Sequence, residues 1–170
     1  MTKIYTKTGD GGETGLHYGV RVRKNAQIIH VMGEIDELSS FIGLARNSFD
    51  SKDEFFINEI LKGIQGKLYV IGAELSGEKF VGITENDVGD LENLIDKFTA
   101  DKKFGAFVNP GEKGEFSARL HVCRSVCRRA ERALVSHLDG FQKEDRERFK
   151  YISQYLNRLS DLLFSLAELK

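Results

Sequence analysis

The stretch Ser117–Leu134, SARLHVCRSVCRRAERAL, decides how the chain folds. It holds neither glycine nor proline and is rich in strong helix formers, so it reads as a helix. Leu120, Cys123, Cys127, Ala130 and Leu134 recur at spacings of three and four, which makes one stripe facing a core. At about 100° per residue, Arg124, Arg128 and Glu131 fall in a second row along the border of that stripe, with Arg129 and Arg132 further round. The plain account is a solvated amphipathic helix whose arginine stems cover apolar surface. Arginines this dense beside a deeply packed stripe point instead to a partner, because guanidinium suits bidentate contact with phosphate or carboxylate.

The same period recurs on either side. Residues 29–45 carry Val31, Ile35, Leu38, Ile42 and Ala45, with Asp36 and Glu37 beside the stripe. A carboxylate there is placed to meet an arginine of the central helix, or is half of a surface acid pair. Residues 55–75 place Ile57, Leu61, Ile64, Leu68, Ile71 and Leu75 in register. Gly63, Gly66 and Gly72 each lower the propensity of that helix by roughly 1 kcal/mol, a cost usually tolerated for close helix packing. Thr84 followed by Asp87 reads as a helix start, and Val88, Leu91, Leu94, Ile95 and Phe98 carry the helix on. After the charged run Lys143–Arg148, Phe149, Ile152, Leu156, Leu159, Leu163 and Leu166 form a last helix, flanked by Asn157, Arg158 and Asp161. Five helical segments argue for an all-α bundle.

Two segments break the pattern. In residues 1–26, Gly9, Gly11, Gly12, Gly15 and Gly19 interrupt Thr6, Lys7, Thr8, Asp10, Thr14, Arg21 and Lys24. Such a segment is either a solvated tail or an irregular arm whose backbone N–H groups approach a phosphate closely. It is not a Walker A loop, since GxxxxGK[ST] is absent. The second is FGAFVNPGEKGEF, where Phe104, Phe107 and Phe116 surround Pro110, Gly111 and Gly114. Loop aromatics mostly pin a loop to the core; the sharper alternative is that Phe107 lines a hydrophobic ligand.

At 170 residues the chain is one domain, an arm over 1–26 and a bundle over 27–170, large enough to bury a core without disulfides. A net charge of -1 and a pI near 6.4 argue against a nucleic-acid binder, so any anion site is local. No apolar run is long enough for a bilayer and MTKIYTKTGDGG has no signal-peptide core, so a cytoplasmic protein with no membrane partner is expected. Cys123 and Cys127 read as buried free thiols, because a zinc site needs more ligands than they and His121 supply. A di-metal carboxylate bundle would need Glu-x-x-His motifs, which the sequence lacks.

Taken together, IYTKTGDGGETGL at residues 4–16, GxxDEL at 33–38 with IGLA at 42–45, FVNPG at 107–111, HVCRSVCRRAER at 121–132 and LNRLSDLLF at 156–164 resemble the PduO-type ATP:corrinoid adenosyltransferases. The resemblance covers nearly the whole chain. It implies a ferritin-like five-helix bundle, a homotrimer with active sites between subunits, and transfer of the 5′-deoxyadenosyl group of ATP to Co(I) of a reduced corrinoid with release of triphosphate. Mg²⁺ would accompany ATP, and a reductase and an adenosylcobalamin-dependent acceptor enzyme would be partners. The competing expectation is a helical bundle that binds ATP or another anion without chemistry.

By the same resemblance, Thr6, Lys7, Thr8, Gly9, Thr14, Gly15 and Lys24 match the arm around the ATP phosphates. Arg128, Arg129, Ala130, Glu131 and Arg132 match a motif that contacts ATP from the neighbouring subunit, and Asn157 matches a nucleotide-contacting asparagine. Asp36 and Arg124 match a salt-bridged pair near the corrinoid, and Phe107 the aromatic that displaces its lower axial base. Gly15 stands where relatives commonly carry a hydroxyl residue and Arg23 where they often carry proline, so the phosphate grip is expected to differ in detail.

Overall fold

The computed structural model describes residues 3–48, 55–79, 82–100, 102 and 108–169. In chain order they form β1 (Glu13–Gly15), a 3-10 turn (His17–Gly19), β2 (Arg21–Arg23), α1 (Gln27–Arg46), α2 (Phe55–Leu75), α3 (Glu85–Thr99), α4 (Glu115–Leu138), α5 (Lys143–Glu147) and α6 (Lys150–Ala167). The five long helices are those the apolar spacing predicts. The charged run at 143–148 is more than a linker, for it winds into the short α5. There Arg146 donates to the Phe141 and Asp139 carbonyls at 2.9 and 2.7 Å, filling acceptors left open at the end of α4.

Helix α4 packs on α1 and on α6, α2 covers α1, and α3 covers α6. The lateral order is therefore α2, α1, α4, α6, α3, with the arginine-rich helix in the middle. Its stripe of Leu120, Cys123, Cys127, Ala130 and Leu134 is fully buried, and it meets Val31, Leu38 and Ile42 of α1 and Leu156, Leu159 and Leu163 of α6 in one core. Both thiols are free. Burial pushes Cys123 up to about 12 and raises Cys127 further, and the Cys127 thiol donates to the Leu156 carbonyl at 3.2 Å. Nothing stands within 4 Å of where a Cβ would lie on Gly63, Gly66 or Gly72, so close packing inside the chain is not what keeps them glycine. Among the described residues no helix is long and apolar enough to cross a membrane.

Helix α3 opens on a capping box. Thr84 N–H donates to Asp87 at 2.9 Å and Asp87 N–H donates back to the Thr84 hydroxyl at 3.4 Å. At the other end of the bundle, Glu168 caps α6 in a buried cluster. Its carboxylate lies 3.1 Å from His121 Nε2 on α4 and 3.0 Å from Lys113 Nζ, while its carbonyl accepts from Lys102 and Lys113 at 3.2 and 3.1 Å. Two lysines from the segment between α3 and α4 thus meet at the negative end of α6.

Burial alone would raise the Glu168 carboxyl, but hydrogen bonds from Lys113 and His121 hold it below the usual 4.5. A carboxylate depressed in the folded state stabilises fully above its unfolded value, and that stabilisation fades as pH falls through the folded one. The gap in thermal midpoint between wild type and Glu168→Gln should accordingly be full at about pH 6 and shrink towards about pH 3. A gap independent of pH would show that the carboxylate charge is not what holds the cluster.

Candidate active site

The glycine-rich arm is an ordered ribbon and not a tail. β1 and β2 pair antiparallel with Glu13 opposite Arg23, Thr14 opposite Val22 and Gly15 opposite Arg21. Three-residue strands of this composition carry no alternating pattern, which is why the sequence shows only irregularity there. Residues 6–12 form a tight loop at the open end, closed by Asp10 N–H to the Lys7 carbonyl at 3.3 Å and Gly12 N–H to the Gly9 carbonyl at 3.2 Å.

Lys7 has φ of 59°, a left-handed conformation that costs a side-chain-bearing residue about 1–3 kcal/mol and is kept mostly at functional sites. The Thr6 and Thr8 hydroxyls lie 2.9 Å apart, and Arg21 pins the loop by donating to the Thr8 carbonyl at 2.8 Å. Gly9 cannot carry a side chain comfortably: a Cβ would stand 3.1 Å from Lys24 Nζ and 3.3 Å from the Glu13 carbonyl. Thr6, Lys7, Thr8 and Lys24 are exposed around the half-buried Gly9, so hydroxyls and ammonium groups share one loop. Thr14 and Gly15 follow on β1.

The arginines of α4 separate by direction. Arg129 donates to Glu34 at 2.5 Å and to Glu37, both on α1, and these carboxylates raise its pKa. Arg124 precedes it by five residues, about 140° away around the helix, so it cannot share that partner. Within the chain Arg124 and Asp36 do not pair. The Arg124 Nε is buried with no partner among the described residues, while Asp36 is exposed. The α1 to α4 ion pair expected near Asp36 and Glu37 is thus made by Glu37, with Glu34 added, and by Arg129.

Arg128 and Arg132 are exposed, and Arg132 Nη1 donates to the Arg128 carbonyl at 3.1 Å. Asn157 on α6 donates to Glu131 at 3.0 Å and accepts from Arg158 at 2.5 Å, and Arg158 reaches Glu92 on α3 at 2.8 Å. This chain of polar contacts across three helices was not legible from spacing. Phe107 lies outside the described residues.

A cleft of about 790 Å³ opens between α1 and α2. Met32, Ile35 and Leu68 give it an apolar floor, Asp36 and the strongly exposed Tyr69 stand on its rim, and His17 of the arm closes one side. The cleft and the loop at residues 6–12 lie at opposite ends of one short ribbon.

The chain belongs to the cobalamin adenosyltransferase family, whose model matches residues 4–170. It is 40% identical over 168 residues to a cobalamin adenosyltransferase of Cupriavidus metallidurans, covering 98% of this chain and 87% of that one. It is 37% identical over 177 residues to the human corrinoid adenosyltransferase MMAB, covering 98% and 68%. Among solved structures it resembles a variant PduO-type ATP:corrinoid adenosyltransferase from Lactobacillus reuteri complexed with cobalamin and ATP, with a TM-score of 0.87, 30% identity and coverage of 98% and 90%.

With Arg129 as the tie between α1 and α4, Arg129→Ala and Glu34→Ala should each lower the thermal midpoint modestly, and the double variant should fall no further than Arg129→Ala alone. The effect should shrink at about 1 M salt, where the screening length is about 3 Å. Additive losses would show that the two residues act separately.

Proposed function

We infer that the protein transfers the 5′-deoxyadenosyl group of ATP to the cobalt of a reduced corrinoid, forming adenosylcobalamin and releasing triphosphate. The observation that carries this reading is the pairing of a strained lysine loop suited to phosphates with an apolar cleft suited to a macrocycle, joined by one short ribbon. The cobalt(I) of the substrate is itself the nucleophile. Its electron pair makes the new bond to the 5′ carbon as the carbon–oxygen bond to triphosphate breaks. The protein therefore needs no nucleophilic serine, cysteine or histidine. It must hold the two substrates in line and neutralise charge gathering on the leaving group.

Lys7, Lys24 and the Thr6 and Thr8 hydroxyls would hold the phosphates, with Thr14 and Gly15 continuing the contact along β1. Arg128 and Arg132 would approach the same phosphates from a neighbouring subunit. In support, hydrogen bonds and ion pairs of the arm among the described residues reach the end of α2 and none reaches α4. Val122 and Val135 stand 43% and 52% exposed on α4, which suits burial against another copy. Asp36 and Arg124, which do not pair within the chain, would form a salt bridge near the bound corrinoid, in a homotrimer with sites between subunits.

Asn157 would orient Glu131 and present its remaining edge to the nucleotide. Among the described residues no group of three His, Cys, Asp or Glu side chains gathers to hold a metal ion, so Mg²⁺ would be bound through the phosphate oxygens. Phe107 would wall the lower face of the corrinoid. Withdrawing the lower axial ligand lowers the orbital that must accept an electron, easing the reduction of Co(II) to Co(I). A cytoplasmic setting, with a reductase supplying that electron and an acceptor enzyme taking the product, completes the proposal.

The direct test mixes the protein with ATP, Mg²⁺, a cobalt reductant and cobalamin and follows the visible spectrum; binding of ATP with no alkylated corrin would overturn the reading. Arg128→Ala should reduce kcat about 10²–10³-fold, roughly 3 kcal/mol, with the fold intact, as for loss of one preorganised donor. Near-wild-type turnover at saturating ATP would remove Arg128 from that role. Phe107→Ala should slow adenosylation from cob(II)alamin far more than from pre-reduced cob(I)alamin, and equal effects on both would count against the aromatic wall.

A further inference from the structure

Among the described residues, the side chains that tie the arm to the bundle meet it at the C-terminal end of α2. Gly77, at φ of 108°, turns the chain out of that helix; its N–H donates to the Glu74 carbonyl at 3.1 Å and the Glu78 N–H to the Ala73 carbonyl at 3.0 Å. That double closure is a Schellman motif, and it fixes the direction in which Glu78 leaves the helix. A Cβ at Gly77 would meet the Cβ of His17 at 4.0 Å, an ordinary van der Waals contact, so the positive φ and not crowding is what favours glycine there.

The arm's turn docks on this cap at several points. The His17 N–H donates to the Ser76 carbonyl at 3.0 Å and to its hydroxyl oxygen at 2.8 Å, filling an acceptor the helix end leaves open. The His17 Nε2 lies 2.9 Å from Glu78 Oε2, and the Tyr18 hydroxyl lies 3.5 Å from Glu78 Oε1. Tyr18 holds φ of 55°, a conformation kept only where its surroundings impose it. Glu78 is largely covered in this contact and His17 half exposed, with side-chain exposures of 18% and 46%. Both residues line the cleft between α1 and α2.

We propose that Glu78 is a positioning residue for both substrates: by clamping His17 to the cap of α2 it holds one wall of the cleft and, through the ribbon, the strained loop around Lys7. The proposal rests on the reading that the cleft takes the corrinoid and the loop the triphosphate of ATP. The mechanical link is short. The turn at His17–Gly19 joins β1 to β2, and Arg21, just beyond it, donates to the Thr8 carbonyl at 2.8 Å. Release of the turn therefore frees the phosphate loop as well as the cleft wall. Glu78 touches neither reacting centre, so its effect belongs in the capture of substrates and not in the chemical step.

The test compares full-length wild type with Glu78→Ala, Glu78→Gln, His17→Ala and the double variant H17A/E78A. In the absence of substrates, amide exchange over residues 6–24 should quicken about tenfold in Glu78→Ala while α1, α4 and α6 and the thermal midpoint stay unchanged. In turnover assays with ATP, Mg²⁺ and pre-reduced cob(I)alamin, KM for both substrates should rise together, about tenfold, with kcat within about twofold of wild type. Glu78→Gln keeps an acceptor for the His17 ring and should remain close to wild type. The double variant should be no worse than Glu78→Ala alone.

Unchanged exchange over the arm in Glu78→Ala would overturn the clamp. A loosened arm with only one KM altered would overturn the coupling, as would a fall in kcat at unchanged KM. Should the wild-type protein fail to alkylate cobalamin, the functional reading fails and the substrate-capture role of Glu78 fails with it. The exchange experiment would still report, separately, whether Glu78 anchors the arm.

Discussion

Everything in this fold follows from having to bury both flanks of one charged helix. Helix α4 offers an apolar stripe to α1 on one side and α6 on the other, and that sandwich leaves only its borders for polar side chains. Each border residue is then assigned by angle. Arg129 falls towards α1 and is neutralised by Glu34 and Glu37, Glu131 falls towards α6 and meets Asn157, and Arg128 and Arg132 remain outward. Cations that a neighbour in the same chain already satisfies are structural ties. Those left over face outward, so packing itself sorts the arginines of one short motif into a paired and an exposed set.

The helices were legible because burial repeats. Val31 to Ala45, Leu61 to Leu75 and Leu156 to Leu166 each keep the three-four period, and every one of those stripes is in the core. The Thr84 and Asp87 capping pair was legible for a different reason, since that motif is local and its two hydrogen bonds span three residues. Spacing gives no such help with α5, which is one turn of charged residues whose helicity depends on Arg146 reaching back to the end of α4. The ribbon was hidden because its strands are too short to alternate.

The site was legible in part. Composition marks Lys7, Thr8 and Gly9 as suited to phosphate, yet the backbone strain at Lys7 and the crowding around Gly9 by Lys24 are products of tertiary closure. Spacing put an acidic pair beside the stripe of α1 but did not say which arginine it would meet. That depends on a 140° difference of phase between Arg124 and Arg129 and on where α1 lies, which no single helix encodes. His17 and Glu78 carried no signal at all, because a histidine in a turn and a glutamate after a glycine are unremarkable until a helix cap brings them together.

The lateral order of the helices has a kinetic consequence. Helices α1 and α2 are neighbours in sequence and in space, but the surface α1 most needs is α4, which is encoded only after α2, α3 and the aromatic loop. Forming that contact closes a long loop, so it raises the contact order of an otherwise fast all-helical topology. During synthesis the first hairpin must therefore wait on the ribosome with an apolar seam uncovered. Final consolidation of the core is tied to the emergence of the last third of the chain.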